Sequence, residues 1–218
     1  MEERTQQAGQ TQETQQAGQE QPQATKTRGA GIRAQLKTRF SAKHVALMGT
    51  FVALAFLVSL LDFPIFPSSP VAFLKLDFGN VFILLIGFLL GPVEGVIVCV
   101  LKETIRIMTG STGGVGELAN MLMTSAYILL PTIVYQYHKG IKTVALTLAG
   151  ACLIGTAAAL LVNRLITFPL FMGEQGVVVF RESFWLIVAF NLIKTASIGI
   201  LTLLLYKRLS NFLKKIKI

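Results

Sequence analysis

Four intervals of this chain, at positions 45–61, 78–93, 118–137 and 144–163, carry no formally charged residue. An apolar run of about 20 residues is what a helix needs to cross a hydrocarbon layer of about 30 Å. Between positions 45 and 206, lysine and arginine occur only at Lys75, Lys102, Arg106, Lys139, Lys142, Arg164, Arg181 and Lys194. Hydrophobic residues make up 53% of the 218 positions and charged residues only 14%, a balance that suits a lipid solvent better than water. The expected fold is all-α, an integral membrane protein of six transmembrane helices.

The predicted spans are 44–62, 76–90, 92–109, 116–137, 142–166 and 183–206. Gly91-Pro92 separates the second from the third, because glycine admits unusual backbone angles and proline begins a helix readily. One kinked helix over 76–109 is the alternative there. The net charge of +9 lies mainly in the tails and one short loop, a distribution that fits the flanks of spans better than a nucleic-acid surface. With six crossings, the loops at 91–95 and 138–143 and the tail from 207 share a face and hold "HKGIK" and "KRLSNFLKKIK". The opposite loops, 63–75, 110–115 and 167–182, have only Lys75 and Arg181 as basic residues. The positive-inside rule then places both termini in the cytoplasm. Four segments follow: a disordered, glutamine-rich tail at 1–28, a basic juxtamembrane segment at 29–43, a membrane domain at 44–207 and a basic cytoplasmic tail at 208–218.

No HExxH, GxSxG or GxxxxGK[ST] pattern occurs, and Cys99 and Cys152 lack the spacing of a redox or metal pair. The chain is therefore expected not to be an enzyme and to hold no metal or resident cofactor. "TGSTGGVGELAN" contains the outline of a dinucleotide-binding turn at Gly114-x-Gly116, but it follows an apolar helix where that fingerprint requires a strand. Its glycines, Gly110, Gly113 and Gly114, are expected to make a compact turn at the mouth of the bundle, with Glu117 and Asn120 in the first turns of the next helix.

Ionised groups at membrane depth are costly, so those in the spans should face a partner, a cavity or an interface. Lys102 and Arg106 share a helix face, Glu103 has the spacing to pair with Arg106, and all three lie near a span end where side chains reach toward water. Asn191 and Lys194, three apart on the last helix, could hydrogen-bond a planar polar solute while Phe184 and Trp185 pack its rings, or they could join two helices. The loop "DFPIFPSSPVAFLKLDFGN" resists helix at Pro64, Pro67 and Pro70 yet is too apolar to stand in water, so it folds back as a lid or as a plug. Ala46 with Thr50, and Gly49 with Ala53, form small-xxx-small pairs that permit close helix approach in lipid.

The stretch "FLKLDFGNVFILLIGFLLGPVEGVIVCVLKETIRIMTGSTGGVGELANML", with "NRLITFPLF" from Asn163, resembles the substrate-binding S components of energy-coupling factor transporters, specifically the riboflavin-binding members. The resemblance runs over about residues 43 to 210. It implies capture of riboflavin on the outer side of the cell membrane and association with a transmembrane coupling subunit and two cytoplasmic ATPases. It implies binding residues at Asn163, Asn191 and Lys194. Phe73, Leu74, Leu76 and Asp77 would shape or cover the site, and Glu117 and Asn120 would line it. It also implies a coupling-subunit contact at Ala46, Gly49, Thr50 and Ala53. Another vitamin as cargo, or a membrane scaffold without transport, are the competing readings.

Overall fold

The computed structural model of the chain describes residues 41–215, with the side chains of Lys207 and of positions 209–215 left out. The glutamine-rich tail at 1–28 and nearly all of the basic segment at 29–43 lie outside the described residues, as do positions 216–218. The chain divides into two units at Ala46/Leu47, and the fold described here is that of the second.

Helix α1, Ala42–Ser59, ends where the proline-rich loop begins. Within that loop, β1 at Phe63–Pro64 and β2 at Lys75–Leu76 pair antiparallel, with Phe63 opposite Leu76 and Pro64 opposite Lys75. Apart from this two-residue ladder, the described fold is all-α, as expected. The ladder supplies partners to a loop whose prolines forbid helix. Helix α2 (Asn80–Leu89) is followed by α3 (Pro92–Ile107), α4 (Val115–Tyr137) and α5 (Ile141–Val162). The helical path continues through a π-helical turn at Asn163–Thr167, α6 (Phe168–Met172), a 3-10 turn at Gly173–Gln175 and α7 (Gly176–Glu182), before the long α8 (Phe184–Lys215).

Four helical stretches among the described residues have the length and composition to cross a membrane: Ala42–Ser59, Val115–Tyr137, Ile141–Glu182 and Phe184–Tyr206. The expected second span is shorter than predicted. At 10 residues, α2 is about 15 Å long, half a hydrocarbon thickness. Asn80, Val81 and every residue from Ile83 to Phe88 are buried, so α2 is apolar all round because protein surrounds it. The loop expected at 167–182 is also mostly helical. Pro169 falls in the first turn of α6, where a missing N–H costs no hydrogen bond, so it does not break the path.

Glycine sets the turns and the close approaches. Gly91 has φ 133° ahead of Pro92, and Gly113 and Gly114 have φ 61° and 90° ahead of α4, angles that other residues adopt at a cost. Along the bundle, a Cβ on Gly95 would meet the Gly87 Cα at 3.1 Å, so α2 and α3 touch backbone to backbone. The main core joins Phe51, Leu84, Ile86, Val98, Tyr127, Ile128, Leu148 and Ile198. A second cluster of Val71, Phe168, Phe180 and Ile187 underlies the loop end. Leu57, Leu146, Leu153, Leu161 and Leu204 point outward and make the apolar exterior that lipid requires.

Gly79 sits against the Ala55 carbonyl and the Ser59 side chain, whereas a Cβ at Gly49 would meet nothing within 4 Å. Gly79→Val is expected to lower stability by about 1–3 kcal/mol through overpacking. Gly49→Ala should leave stability unchanged or slightly higher. Thermal unfolding of the detergent-purified protein measures both; equal losses at the two positions would contradict the packing described.

Candidate functional site

The elements meet at the end of the bundle where α1 and α3 finish and α4 and α8 begin. The loop from Asp62 to Asp77 crosses that end and is tied down chemically. Arg106, in the last turn of α3, donates through Nη1 to the Ser59 carbonyl at 2.8 Å and through Nη2 to the Asp62 carboxylate. Lys75 donates to Ser111 Oγ at 3.0 Å and lies 3.6 Å from Asp62, so one carboxylate stands between two cations. On the other flank, Phe73 packs against Phe168 and Phe171 at centroid distances of 5.3 and 4.9 Å.

One turn deeper lies a chain of buried polar groups. Asp77 caps the start of α2 by accepting the Gly79 N–H at 2.7 Å, and its other oxygen accepts from Lys102. Lys102 is 0% exposed and also donates to Glu103 Oε1 at 2.7 Å. Glu103 in turn accepts from the Asn120 amide. Asn120 Oδ1 accepts from Lys194 Nζ at 2.7 Å and from Asn80 Nδ2 at 3.1 Å. Lys194 rests 5.9 Å from the centre of the Phe190 ring. Five helix and loop segments are thus joined by charge-assisted hydrogen bonds, the form in which ions tolerate an apolar interior.

Above this chain opens a cleft enclosing about 660 Å³ between its walls, the open mouth included. Phe73, Leu74 and Asp77 from the loop, Glu117 and Asn120 from α4, Asn163 from the π-helical turn and Asn191 and Lys194 from α8 all line it. Of the residues that the resemblance implies bind or cover the ligand, Leu76 alone does not: it is buried in β2, beside the cleft; Phe184, expected to pack a solute's rings, also stays out of the lining. Asn191 donates one amide hydrogen to the Ile187 carbonyl at 2.8 Å. Asn163 Oδ1 is buried and has no hydrogen-bond partner among the described residues. A buried acceptor left unpaired costs about 1–3 kcal/mol, so this atom waits for a donor. Thr167, one π-helical turn on, reaches the same cleft, and π-helical insertions recur at functional sites.

Three expectations are corrected here. Trp185 is 78% exposed and does not line the cleft; it stands nine residues before Lys194, half a turn out of phase on α8. Phe190, four residues before Lys194, holds the position assigned to it, a spacing visible in the sequence. Arg106 pairs with Asp62 where Glu103 was expected, and Glu103 turns to Lys102 and Asn120. Lys102 does not reach outward to water, because two carboxylates meet it inside. Asp62, Glu103, Arg106 and Thr112 join the lining without having been singled out as ligand contacts. Asp62 gives no sequence signal, since its role depends on Arg106, 44 positions away. Glu117 accepts from Thr112, which fastens the glycine turn to the first turn of α4. Among the described residues no cluster of His, Cys, Asp or Glu is placed to hold a metal ion.

Against known proteins, residues 43–206 match the model of the family described as ECF transporter, substrate-specific component. The chain is 31% identical over 179 residues to the riboflavin transporter RibU of Staphylococcus aureus (strain TCH60), covering 80% of this chain and 94% of that protein. It is 29% identical over 133 residues to the riboflavin transporter FmnP of Bacillus subtilis (strain 168), covering 60% and 67% respectively. A solved structure described as the S component of a bacterial ECF transporter superposes with a TM-score of 0.69 at 32% identity, over 79% of this chain and 98% of that one.

The fastening of the loop is open to test without any ligand. Arg106→Met removes the cation from Asp62 and the donor from the Ser59 carbonyl, interactions worth about 1.5–3 kcal/mol for charged hydrogen bonds. Amide exchange over residues 62–76 is expected to quicken roughly 10- to 100-fold while the centre of α4 stays protected. Uniform acceleration throughout the protein would contradict a local clasp.

Proposed function

This chain belongs to the substrate-specific components of ECF transporters, and we propose that it is the membrane subunit that captures riboflavin for uptake. One observation carries the choice of ligand chemistry: Asn163, Asn191 and Lys194 converge on a single cleft in which Asn163 Oδ1 is buried without a partner among the described residues. Riboflavin is neutral, with a flat ring system bearing carbonyl and ring-nitrogen acceptors and a polyhydroxyl chain. Amides and one ammonium match those edges, while Phe73, Leu74, Met123, Val162 and Phe190 offer apolar walls to the ring. The charged groups of the lining include both signs, so it is not the cationic cradle that a phosphate would call for.

The loop over Phe73, Leu74 and Asp77 acts as the lid of this site, with Leu76 holding its inner strand in place. Glu117 and Asn120 form the wall below the glycine turn. The domain at 44–207 crosses the membrane six times, α2 and α3 forming the short second and third crossings, with both termini in the cytoplasm. The segregation of basic residues to one set of loops supports that orientation. The cleft then opens outside.

The chain itself has no ATP-hydrolysing motif, so energy comes from partners: a transmembrane coupling subunit and two cytoplasmic ATPases. Gly49, Thr50 and Ala53 lie exposed along one side of α1 and form the contact with the coupling subunit. Ala46, also exposed, extends the same small-residue spacing.

The two roles separate by mutation. Asn191→Ala or Lys194→Ala is expected to weaken riboflavin binding to the purified protein about 10- to 100-fold, the loss of one buried or charged hydrogen bond. Replacing Gly49 or Ala53 by Phe should abolish uptake in a reconstituted complex yet leave riboflavin affinity of the isolated protein within about threefold, since exposed positions seldom affect a distant site. Tight binding of a different vitamin by wild-type protein, with none of riboflavin, would overturn the assignment of cargo.

A further inference from the structure

The cleft explains Lys194 but leaves Lys102 without a function. Lys102 is 0% exposed, lies outside the lining and cannot touch a ligand. Burying an ammonium is expensive, and replacing such groups by apolar ones of similar shape is often neutral or stabilising. A chain that keeps two buried lysines within one polar cluster therefore invites the question of what the hidden one does.

The geometry constrains the answer. Lys102 holds both carboxylates that stand near Lys194: Asp77, through Oδ2, and Glu103, through Oε1. Those two carboxylates act electrostatically on Lys194 as well. Glu103 orients Asn120 by accepting from its Nδ2, and that places Asn120 Oδ1 toward the Lys194 ammonium at 2.7 Å. An ammonium has three donors. With Asn120 taking one, the others remain for the cleft so long as the carboxylates are satisfied elsewhere. Two carboxylates and two ammonium groups make the cluster neutral. Without Lys102, both carboxylates would compete for Lys194.

We propose that Lys102 is a positioning residue for riboflavin: by occupying Asp77 and Glu103 it keeps the Lys194 ammonium, through Asn120, turned toward the cleft. The inference rests on the reading of Lys194 as a riboflavin contact and adds a residue that the ligand never meets. It also makes the lid and the floor of the site one unit, since Asp77 terminates the lid loop and caps α2.

The test is a double-mutant cycle of riboflavin binding to the full-length protein in detergent, with Lys102→Met, Lys194→Ala and both together. Lys102→Met is expected to weaken binding about tenfold or more in the wild-type background and by less than about threefold when Lys194 is already absent, because residues acting as one unit are not additive. Equal losses in the two backgrounds, or no loss in the first, would overturn the role. Lys102→Arg guards against misfolding, since it keeps a cation between the Asp77 and Glu103 carboxylates and leaves both engaged away from Lys194. That variant is expected to bind within about threefold of wild type; a folded form binding more than about tenfold more weakly would overturn the proposal. Failure of wild-type protein to bind riboflavin would instead refute the functional reading on which the inference rests.

Discussion

The structure depends on how four ionised side chains are satisfied inside a bundle with an apolar exterior. Asp77, Lys102, Glu103 and Lys194 are each at most 6% exposed, so water can do little to hydrate them. Asp77 finds its counter-charge in Lys102 on α3, Glu103 finds it in the same neighbouring lysine, and Asn120 bridges Glu103 to Lys194. This bonding draws the lid loop, α2, α3, α4 and α8 to one point. A cluster satisfied in this way is costly to disturb by halves, because removing one buried partner strands the other. The same groups that hold the segments together thereby define the floor of the cleft.

The half-length helix α2 makes room for this arrangement. Because it begins at Asn80, well inside the bundle, the chain from Asp62 to Gly79 is free to lie across the end and close the space above Asn120 and Lys194. Gly79 lets α1 approach the start of α2, and Gly87 with Gly95 lets α3 return against it. The lid is fastened on two sides by different forces, ionic at Asp62, Lys75 and Arg106 and aromatic at Phe73.

Much of the fold was legible because the lipid solvent imposes a strong rule on sequence. Uncharged runs located α1, α2, α4 and α5, and Gly91-Pro92 marked the α2–α3 turn. The length of α2 was not legible, since a helix buried all round reads like one facing lipid. The helical path from Thr167 to Glu182, expected as a loop, was not legible, since Pro169 suits a helix only in its first turn. In the site, Asn191 and Lys194 stood out as polar residues at helical spacing on an apolar helix. Phe190 shares that face and could have been found by the same spacing, whereas Trp185 was attractive only by residue type. Asp62 and the partner of Arg106 were out of reach, because ion pairs between distant segments leave no local pattern.

As an ECF-type substrate-specific component, the protein needs a site that holds a neutral vitamin through a few directional contacts and an outer surface free to meet its motor. On the proposed assignments, binding belongs to the cleft and coupling to the exposed small residues of α1, so the two are expected to respond to different substitutions. The most direct measurement is equilibrium titration of the detergent-purified, ligand-free protein with riboflavin, its phosphorylated form and unrelated vitamins. Saturable one-to-one binding of riboflavin, tighter than that of the phosphorylated form and without measurable binding of the others, is the predicted result. Absence of saturable riboflavin binding by folded protein, or preference for an unrelated vitamin, would contradict the account.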